Sequence, residues 1–545
     1  MKRAFKIAAM IALFAGSICG QEKTKESSPK VKLVVQIVVD QLRGDILTKF
    51  ENNLSEDGFK YISGRGKNFT NANFIQSVTK TAPGHATIAT GSIPAFHGII
   101  GNDWFDKKTG KTVYACQDDE ALVFGEERGL SPENLTVSTL SDELFLATEG
   151  KAKIFGVSFK DRGSIFLAGH SGKAFWYSNK NGGFTSSKYY FDVPPGYVQK
   201  FNKNDWLGKF YNQNWNLLLP KENYLYKDVD ENNYEFTEKG LGKTFPHDFS
   251  ALPRDKFGRI FIFTPFADEL TYEFAKVVIT ENEIGKDSVV DYFSISFSIT
   301  DYIGHRFSPN SLEYEDHIYR LDRTVGKFIK FLDEKIGLEN ILIVFTADHG
   351  ISESPEFLKE KGQPSGVLYF QDFAKLCNNF CRDKYKIDFD VVKYLITPSI
   401  YLNESKILQA GLTVRQVEND LKKLILKYDG VYNVLTSGEI EENKIAQNLI
   451  NTRVANSYFP GRSGNLYVVS LPGWFVGYEN GKRHNASMHG SPWNYDAYVP
   501  LIFCGPGIDS GYDSSECGPH DIAPTIADYL GIKKPSGSVG KVLLK

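Results

Sequence analysis

The feature that most constrains the fold is a set of short apolar runs, rich in β-branched residues, that end in or are soon followed by charged residues. The clearest is VKLVVQIVVD at residues 31–40, which ends at Asp40. A run without alternation between apolar and polar residues is typical of a strand buried on both faces of a parallel sheet. The other runs of this kind are residues 152–159, 291–298, 340–347 and 498–503.

Helical patterns lie between these runs, at residues 83–91, 131–150, 311–337 and 519–531. Strands that alternate with helices predict the α/β fold class, here an α/β/α sandwich around a mostly parallel sheet. In such a sheet, ligands bind beyond the carboxyl ends of the strands. Asp40, Lys160, Asp301 and Asp348 each end or follow a run, so we expect them near the functional site.

Two stretches interrupt the alternation of strands and helices. Residues 163–285 are rich in aromatic residues, Asn and Gly, and residues 354–475 combine short strands with one charged helix near 413–428. We interpret both as insertions that form a cap over the functional face. Residues 21–545 are therefore expected to form a single domain with insertions at about 163–285 and 354–475.

The amino terminus has the pattern of an export signal. Basic residues at positions 2, 3 and 6 precede a short apolar run at 7–15, and small residues follow it. A membrane span would need about 20 apolar residues, so residues 1–20 are interpreted as a cleaved signal peptide. We therefore expect a periplasmic or secreted protein without a membrane span; attachment of a lipid at Cys19 is the alternative.

Charge and cysteine content add two limits. The formal net charge is −3, without a basic excess, which argues against nucleic acid as a standing partner. An oxidising compartment would permit disulfide bridges Cys377–Cys381 and Cys504–Cys517, with Cys116 left over.

Two segments carry the carboxylate and imidazole groups that bind zinc: ITDYIGH at 299–305 and VFTADHG at 344–350. Asp301 and His305, four residues apart across a turn, can converge on one ion, and His489 in the HGSP segment can complete that site. Asp348 and His349 can bind a second ion together with Asp40. Each motif alone is also an ordinary turn, and His484 is the rival ligand to His489.

A nucleophile is expected at a helix N-terminus, where the helix dipole stabilises an oxyanion. The segment TKTAPGHATIATG provides Thr81 just before Pro83, and proline favours the first helical turn. Thr79 is the alternative nucleophile, and Thr81 could instead be only an N-cap residue. His85 is expected to be a packing residue. The remaining histidines are expected at the surface or in turns: His97, His170, His247, His317 and His520.

With these motifs, the chain resembles the alkaline phosphatase superfamily, most closely its monomeric, zinc-dependent bacterial branch with a threonine nucleophile. The motifs that carry the resemblance span nearly the whole chain after the signal. They are VVD ending at Asp40, TKTAPGHATIATG, GNDWF at 101–105, SFKDR at 158–162, DYIGH, ADHG and MHGSPWNYDAYVPLIF at 488–503.

The resemblance implies a site with two Zn²⁺ ions. One ion would be bound by Asp301, His305 and His489, and the other by Asp40, Thr81, Asp348 and His349. Asn102, Lys160 and Arg162 would contact the non-bridging phosphoryl oxygens. The implied activity is hydrolysis of small-molecule phosphate monoesters to inorganic phosphate in two steps, through a phosphothreonine at Thr81, in a monomeric enzyme.

Several alternatives remain open. Lys160 and Arg162 add positive charge that a dianionic monoester neutralises better than a monoanionic diester, but the pair could instead be solvated. A phosphodiesterase or nucleotide pyrophosphatase of the same superfamily is the first alternative function. A sulfatase is disfavoured because no Cys-x-Pro-x-Arg sequence surrounds Thr81, and a mutase because of the export signal. An inactive phosphate- or glycan-binding relative is disfavoured because the nucleophile and ligands are all present.

Overall fold

A nine-stranded sheet lies at the centre of the structure, a computed structural model that describes residues 31–237, 240–477 and 483–544. In spatial order its strands are Gly511–Asp513, Lys67–Phe69, Leu501–Cys504, Ile341–Ala347, Leu33–Val39, Asp291–Phe297, Ile154–Ser158, Lys173–Ser178 and Gly183–Thr185. Leu501–Cys504 and Gly183–Thr185 run antiparallel to their neighbours, and the remaining pairs are parallel. The sheet is therefore mostly parallel, as the apolar runs predict. The predicted signal peptide lies outside the described residues.

Helices cover both faces of this sheet. Every residue of Leu33–Val39 is buried, with Val35 and Ile37 in one apolar core and Val34 and Val38 in another. This arrangement explains why the run is apolar on both faces except at Gln36, whose Oε1 accepts a hydrogen bond from the Tyr292 hydroxyl at 2.7 Å. The α-helices of eight or more residues in the described ranges are Thr81–Thr90, Leu140–Ala147, Asp161–Ala168, Arg254–Phe261, Phe266–Glu281, Ile299–Phe307, Leu312–Lys335, Asp372–Tyr385, Val414–Ile425 and Ile522–Leu530.

The register of the central strands brings their carboxyl ends together. Val39 lies opposite Phe297 on one side and Ala347 on the other. Asp40 and Asp348, the residues that follow two of these strands, therefore lie side by side. Because parallel strands end at the same edge, this edge carries the polar residues that the sequence places after each run.

The first predicted insertion, 163–285, begins too early. Its first residues belong to the core: the Asp161–Ala168 helix leads into Lys173–Ser178, which pairs in parallel with Ile154–Ser158 in the central sheet. The Phe266–Glu281 helix also packs into the main core. The aromatic composition of these segments predicts a cap, but the rings pack into the main core beside the sheet.

The second predicted insertion, 354–475, contains a separate antiparallel sheet with its own apolar core. In spatial order its strands are Val392–Ile396, Ser399–Leu402, Leu466–Ser470 and Val431–Thr436. The charged helix expected near 413–428 is Val414–Ile425. Short strands elsewhere pair as Asp103–Phe105 with Thr112–Tyr114, Gln117–Leu122 with Gly129–Leu130, and Gly366–Tyr369 with Trp474–Gly477.

Two local predictions are wrong. The helix expected over 131–150 is confined to Leu140–Ala147, because Thr139 and Asp142 form a capping box that starts the helix there. The cysteines of the described ranges are all free and buried, so the bridges Cys377–Cys381 and Cys504–Cys517 do not form.

The histidines expected at the surface are mostly buried. His97, His247 and His317 are fully buried, and His520 is largely so; only His170 is about one-third exposed. One ring nitrogen of each fully buried histidine contacts an atom inside the fold: the Thr87 hydroxyl for His97, the Leu241 carbonyl for His247 and the Thr300 hydroxyl for His317. No helix in the described ranges is long and apolar enough to cross a bilayer.

Candidate active site

Thr81 is the first residue of the Thr81–Thr90 helix and is almost completely buried. Lys80 before it is extended, with φ −129° and ψ 162°, and Pro83 lies in the first helical turn. Thr81 is therefore inside the helix, and the N-cap position belongs to Lys80. The hydroxyl lies where the helix dipole and the free N–H groups favour negative charge.

The residues around Thr81 contact three other segments of the edge. The carbonyl of Thr79 accepts a hydrogen bond from His489 Nδ1 (2.7 Å), and the N–H of Ala82 donates to Asn102 Oδ1 (2.9 Å). A Cβ atom added to Gly84 would lie only 2.2 Å from the carbonyl oxygen of Asp348. Glycine is thus required for the helix to pack directly on the Asp348 backbone.

Asp301, His305 and His489 form the first of two groups of side chains that could hold a metal ion, called the ligand groups below. Asp301 and His305 do not flank a turn, as the sequence suggested, but lie on the helix Ile299–Phe307, where residues four apart share one face. Nε2 of His305 and Nε2 of His489 lie 3.2 and 3.3 Å from Asp301 Oδ1.

Asp40, Asp348 and His349 form the second group, and all three side chains are fully buried. His349 Nε2 lies 3.3 Å from Asp40 Oδ1 and 3.7 Å from Asp348 Oδ2. The ring of His349 stacks on that of His489, with centroids 3.7 Å apart. The two groups are therefore immediate neighbours.

The donor atoms of the second group fit a bound cation. Asp40 Oδ1, Asp348 Oδ2 and His349 Nε2 are buried and have no hydrogen-bond partner among the described residues. Unpaired buried polar atoms are costly unless a ligand satisfies them. Imidazole nitrogen with carboxylate oxygen is the donor set that zinc favours.

All three ligand histidines present the same nitrogen to the site. Nδ1 of His305, His349 and His489 contacts a backbone carbonyl, those of Ser487 (2.8 Å), Gly350 (3.0 Å) and Thr79 (2.7 Å) respectively. Because a carbonyl can only accept, each Nδ1 carries the proton and donates it. Nε2 is then left with a lone pair in the neutral ring, which is the form that binds a metal.

Lys160 lies between the two groups. Its ammonium contacts Asp40 Oδ2 at 2.7 Å and Asp301 Oδ2 at 2.5 Å, and it is almost fully buried. Burial opposes ionisation of Asp40, but Lys160 and His349 together outweigh it and lower the pKa of Asp40 to about 2. For His489, burial has the opposite effect on the pKa: it lowers the value to about 3, which keeps this ring neutral.

Arg162 and Asn102 are the other two residues predicted to contact the phosphoryl oxygens. Arg162 follows the Ile154–Ser158 strand in the first turn of the Asp161–Ala168 helix, and its side chain is 19% exposed. Burial opposes its charge, yet Tyr114 and Asp161 raise the pKa of Arg162, so the guanidinium stays charged. Asn102 Oδ1 accepts a hydrogen bond from the Ala82 N–H, which leaves the side-chain NH₂ of Asn102 available to donate to another group.

Sequence reasoning missed Gln41 and underestimated His85. Gln41 has a left-handed backbone (φ 70°), and its N–H donates to Asp348 Oδ1 (3.1 Å) while its side-chain amide donates to Asp301 Oδ1 (2.8 Å). One residue therefore contacts both ligand groups. His85 is not merely a packing residue, since its Nδ1 lies 3.2 Å from Asp348 Oδ2. The only sequence signal for Gln41 is its place directly after Asp40. His85 could have been noticed because it is the one aromatic side chain in the Thr81–Thr90 helix.

The two alternative site residues lie differently. His484 is exposed, and its carbonyl accepts a hydrogen bond from Arg306. Thr79 is buried, and its hydroxyl donates to the carbonyl of Ser491 at 2.9 Å. Neither residue is part of the two groups of ligand atoms found in the described ranges.

The α/β sandwich, with paired carboxylate and histidine groups at the carboxyl edge of its sheet, defines a member of the alkaline phosphatase superfamily. Within it, the chain belongs to the family Type I phosphodiesterase / nucleotide pyrophosphatase, whose profile matches residues 34–492.

The similarity to individual proteins extends over nearly the whole chain. A Myroides odoratus protein named "Calcium-transporting ATPase" is 38% identical over 98% of this chain and 97% of its own. Alkaline phosphatase PhoV of Synechococcus elongatus is 35% identical over 98% of both chains. The crystal structure of alkaline phosphatase PafA superposes with a TM-score of 0.87 at 34% identity, covering 94% of this chain and 98% of its own. The chain thus lies in the branch that contains the bacterial alkaline phosphatases.

Proposed function

We propose that the protein is a two-zinc phosphomonoesterase that releases inorganic phosphate from small-molecule monoesters. The observation that carries the proposal is the pair of three-ligand groups beside Thr81, with Lys160 and Arg162 at the same edge. Asp301, His305 and His489 would hold one zinc ion. Asp40, Asp348, His349 and Thr81 would hold the other. Zinc in such a pair polarises phosphoryl oxygens and lowers the pKa of a bound hydroxyl.

The roles of the remaining residues follow from their positions. Thr81 would attack phosphorus from the helix N-terminus, forming a phosphothreonine that water then hydrolyses. Asn102 would donate from its side-chain amide to a non-bridging oxygen, because its Oδ1 is occupied by the Ala82 N–H. Arg162 would donate to the same phosphoryl group through a permanently charged guanidinium.

Lys160 is suited to a dianionic substrate. Its ammonium is held between Asp40 and Asp301, which would be neutralised in large part by the zinc ions they bind. Lys160 could then donate to a third phosphoryl oxygen. A monoester offers three non-bridging oxygens and two charges, whereas a diester offers two oxygens and one charge, so Lys160 and Arg162 favour the monoester.

A phosphodiesterase or nucleotide pyrophosphatase is the second candidate, because the matching family profile carries that description. A nucleoside triphosphate should be tested beside these substrates, since its terminal phosphoryl group carries non-bridging oxygens and charge like those of a monoester.

We further propose export to a periplasmic or extracellular space, on the basis of the amino-terminal basic and apolar pattern. We also propose that the protein is a monomer.

The decisive experiment compares kcat/KM for an aryl phosphate monoester and the matching diester, with zinc content measured on the same sample. We expect about two zinc ions per chain and a clear preference for the monoester. Thr81→Ala should abolish most turnover and retain zinc. Thr79→Ala is the matched control, because its hydroxyl donates to the Ser491 carbonyl and should be dispensable for chemistry.

Three results would contradict the proposal. A zinc content near zero after gentle purification would remove the metal site, and near wild-type activity of Thr81→Ala would remove Thr81 as nucleophile. A preference for the diester would favour the phosphodiesterase instead.

A further inference from the structure

One hairpin directly follows Asn102 and contacts Arg162, two of the three side chains outside the ligand groups that are proposed to contact the phosphoryl group. Its strands are Asp103–Phe105 and Thr112–Tyr114. Asn102 directly precedes the first strand, and its carbonyl accepts a hydrogen bond from the N–H of Ala115, just after the second (2.8 Å). Tyr114, the last residue of the second strand, contacts Arg162. The hairpin therefore carries Asn102 at one end and a partner of Arg162 at the other.

The Tyr114 hydroxyl lies between Arg162 and Asp161. It donates a hydrogen bond to Asp161 Oδ1 and accepts one from Arg162 Nη1 at 3.2 Å. Arg162 Nη1 is 3.9 Å from the same carboxylate oxygen. Asp161 is also fixed by Arg128, whose Nη1 donates to Oδ2 at 3.2 Å. The phenol thus bridges a guanidinium and a carboxylate that lie 3.9 Å apart, at the outer limit of an ion pair, and it occupies the position that a shorter contact between them would require.

The second insertion holds the hairpin in place. Phe105 stacks on Tyr394, with ring centroids 5.0 Å apart, and meets Tyr401 edge-on at 5.4 Å. The Thr112 hydroxyl donates to the Tyr394 oxygen at 3.0 Å. These contacts fix both strands of the hairpin against the separate sheet of residues 392–470, so the hairpin is not a free surface loop.

We infer that Tyr114 is a positioning residue that holds Arg162 away from Asp161 and directs its free nitrogens at the phosphoryl oxygens of the substrate. The inference rests on the proposed function, because it assigns a role at the same site. Arg162 Nε is buried and has no hydrogen-bond partner among the described residues, so Tyr114 is the neighbour whose hydroxyl defines the guanidinium orientation. An arginine recognises phosphate through a planar fork, which works only in the correct orientation.

Through the hairpin, the second insertion can also influence substrate specificity at the site. The Ala115–Asn102 hydrogen bond ties the two ends of the hairpin together. A displacement of the hairpin would therefore move Asn102 and, through Tyr114, the guanidinium of Arg162. Misplacement by about 1 Å can lower a reaction rate about a hundredfold. Tyr394 and Tyr401 therefore act on the site through the hairpin rather than by contact with the substrate.

The test is Tyr114→Phe, which removes the hydroxyl and keeps the ring. We expect kcat/KM for the aryl monoester to fall about tenfold, because a hydrogen bond to a charged group is lost and Arg162 is free to turn toward Asp161. The diester should change by less than about twofold. Tyr190→Phe is the matched control, since Tyr190 is buried in the same apolar cluster and its hydroxyl has no hydrogen-bond partner among the described residues.

A double-mutant cycle separates positioning from a merely structural role. In an Arg162→Ala background, Tyr114→Phe should have no further effect on kcat/KM, because its role passes through Arg162. A tenfold loss that persists without Arg162 would overturn the inference, as would equal losses for both substrates or no loss at all. The coupling is measured on whichever ester the wild-type protein hydrolyses better. It therefore succeeds or fails independently of the proposed monoester preference.

Discussion

Gly84→Ala should lower activity although alanine favours helices. Gly84 lies in the first turn of the Thr81–Thr90 helix, and an added Cβ would come within 2.2 Å of the Asp348 carbonyl oxygen and 2.9 Å of the Asp348 Cβ. Ordinary contact requires roughly 1 Å more, so the helix or the Asp348 segment must move by about that distance. Both alternatives change the spacing between Thr81 and a ligand of the second group.

The magnitude follows from two opposed terms. Alanine gains about 1 kcal/mol over glycine inside a helix, whereas overpacking a rigid contact costs about 1 to 3 kcal/mol. The free energy of unfolding should therefore stay equal or fall by up to about 2 kcal/mol. The rate is more sensitive, since a shift of about 1 Å at the reacting groups can cost about a hundredfold.

The assay is kcat/KM for an aryl phosphate, with zinc content and urea unfolding on the same preparations. Gly64→Ala is the matched control, because Gly64 also lies in a helix, Phe59–Arg65, and an added Cβ there meets nothing within 4 Å. That variant should be as active as wild type and up to about 1 kcal/mol more stable. If Gly84→Ala kept full zinc content and wild-type kcat/KM, the packing argument would be refuted.

Three further changes have defined outcomes. Gln41→Leu removes the amide donor to Asp301 (2.8 Å) and should weaken metal affinity about 10- to 100-fold in a zinc titration; unchanged affinity would contradict its positioning role. Lys160→Ala combined with Arg162→Ala should reduce monoester hydrolysis far more than diester hydrolysis, and equal losses would contradict the charge argument. Burial, and then Glu313, raise the pKa of Glu235 to about 8, so the folded state binds this proton more tightly than the unfolded state. The resulting stability is present below about pH 4.5 and is lost as the pH rises through about 8. Glu235→Gln should therefore unfold at higher urea than wild type at pH 9, and no gain there would contradict the pKa shift.

The layered fold could be predicted from the sequence because its strands are buried on both faces. A run such as residues 31–40 has only one stable environment, and its neighbours in the sheet have the same pattern. The boundaries of the first insertion could not be predicted in this way. Lys173–Ser178 contains Phe175 and Trp176. Aromatic side chains pack equally well in a cap and against a sheet, so composition does not distinguish the two environments.

The candidate site shows the same division. Asp301 and His305 are visible as a pair because their spacing of four residues suits both a turn and a helix, and only the structure decides for the helix Ile299–Phe307. The role of Gln41 could not be predicted from the sequence, because it depends on a left-handed backbone conformation that residues other than glycine rarely adopt. Tyr114 acts on Arg162 across 48 positions of chain, and no periodicity links residues that far apart.

The backbone anchors of the three ligand histidines bear on how freely this protein can vary. Nδ1 of His305, His349 and His489 contacts main-chain oxygens, and every amino acid supplies a main-chain oxygen. Residue 350 must stay glycine, because an added Cβ would lie 2.2 Å from the carbonyl oxygen of Tyr495, but the ring orientations do not depend on which side chains stand at residues 79 and 487. Substitutions there that preserve the path of the chain leave the metal-binding faces of the rings unchanged, so the surrounding loops can diverge in sequence while the chemistry stays fixed.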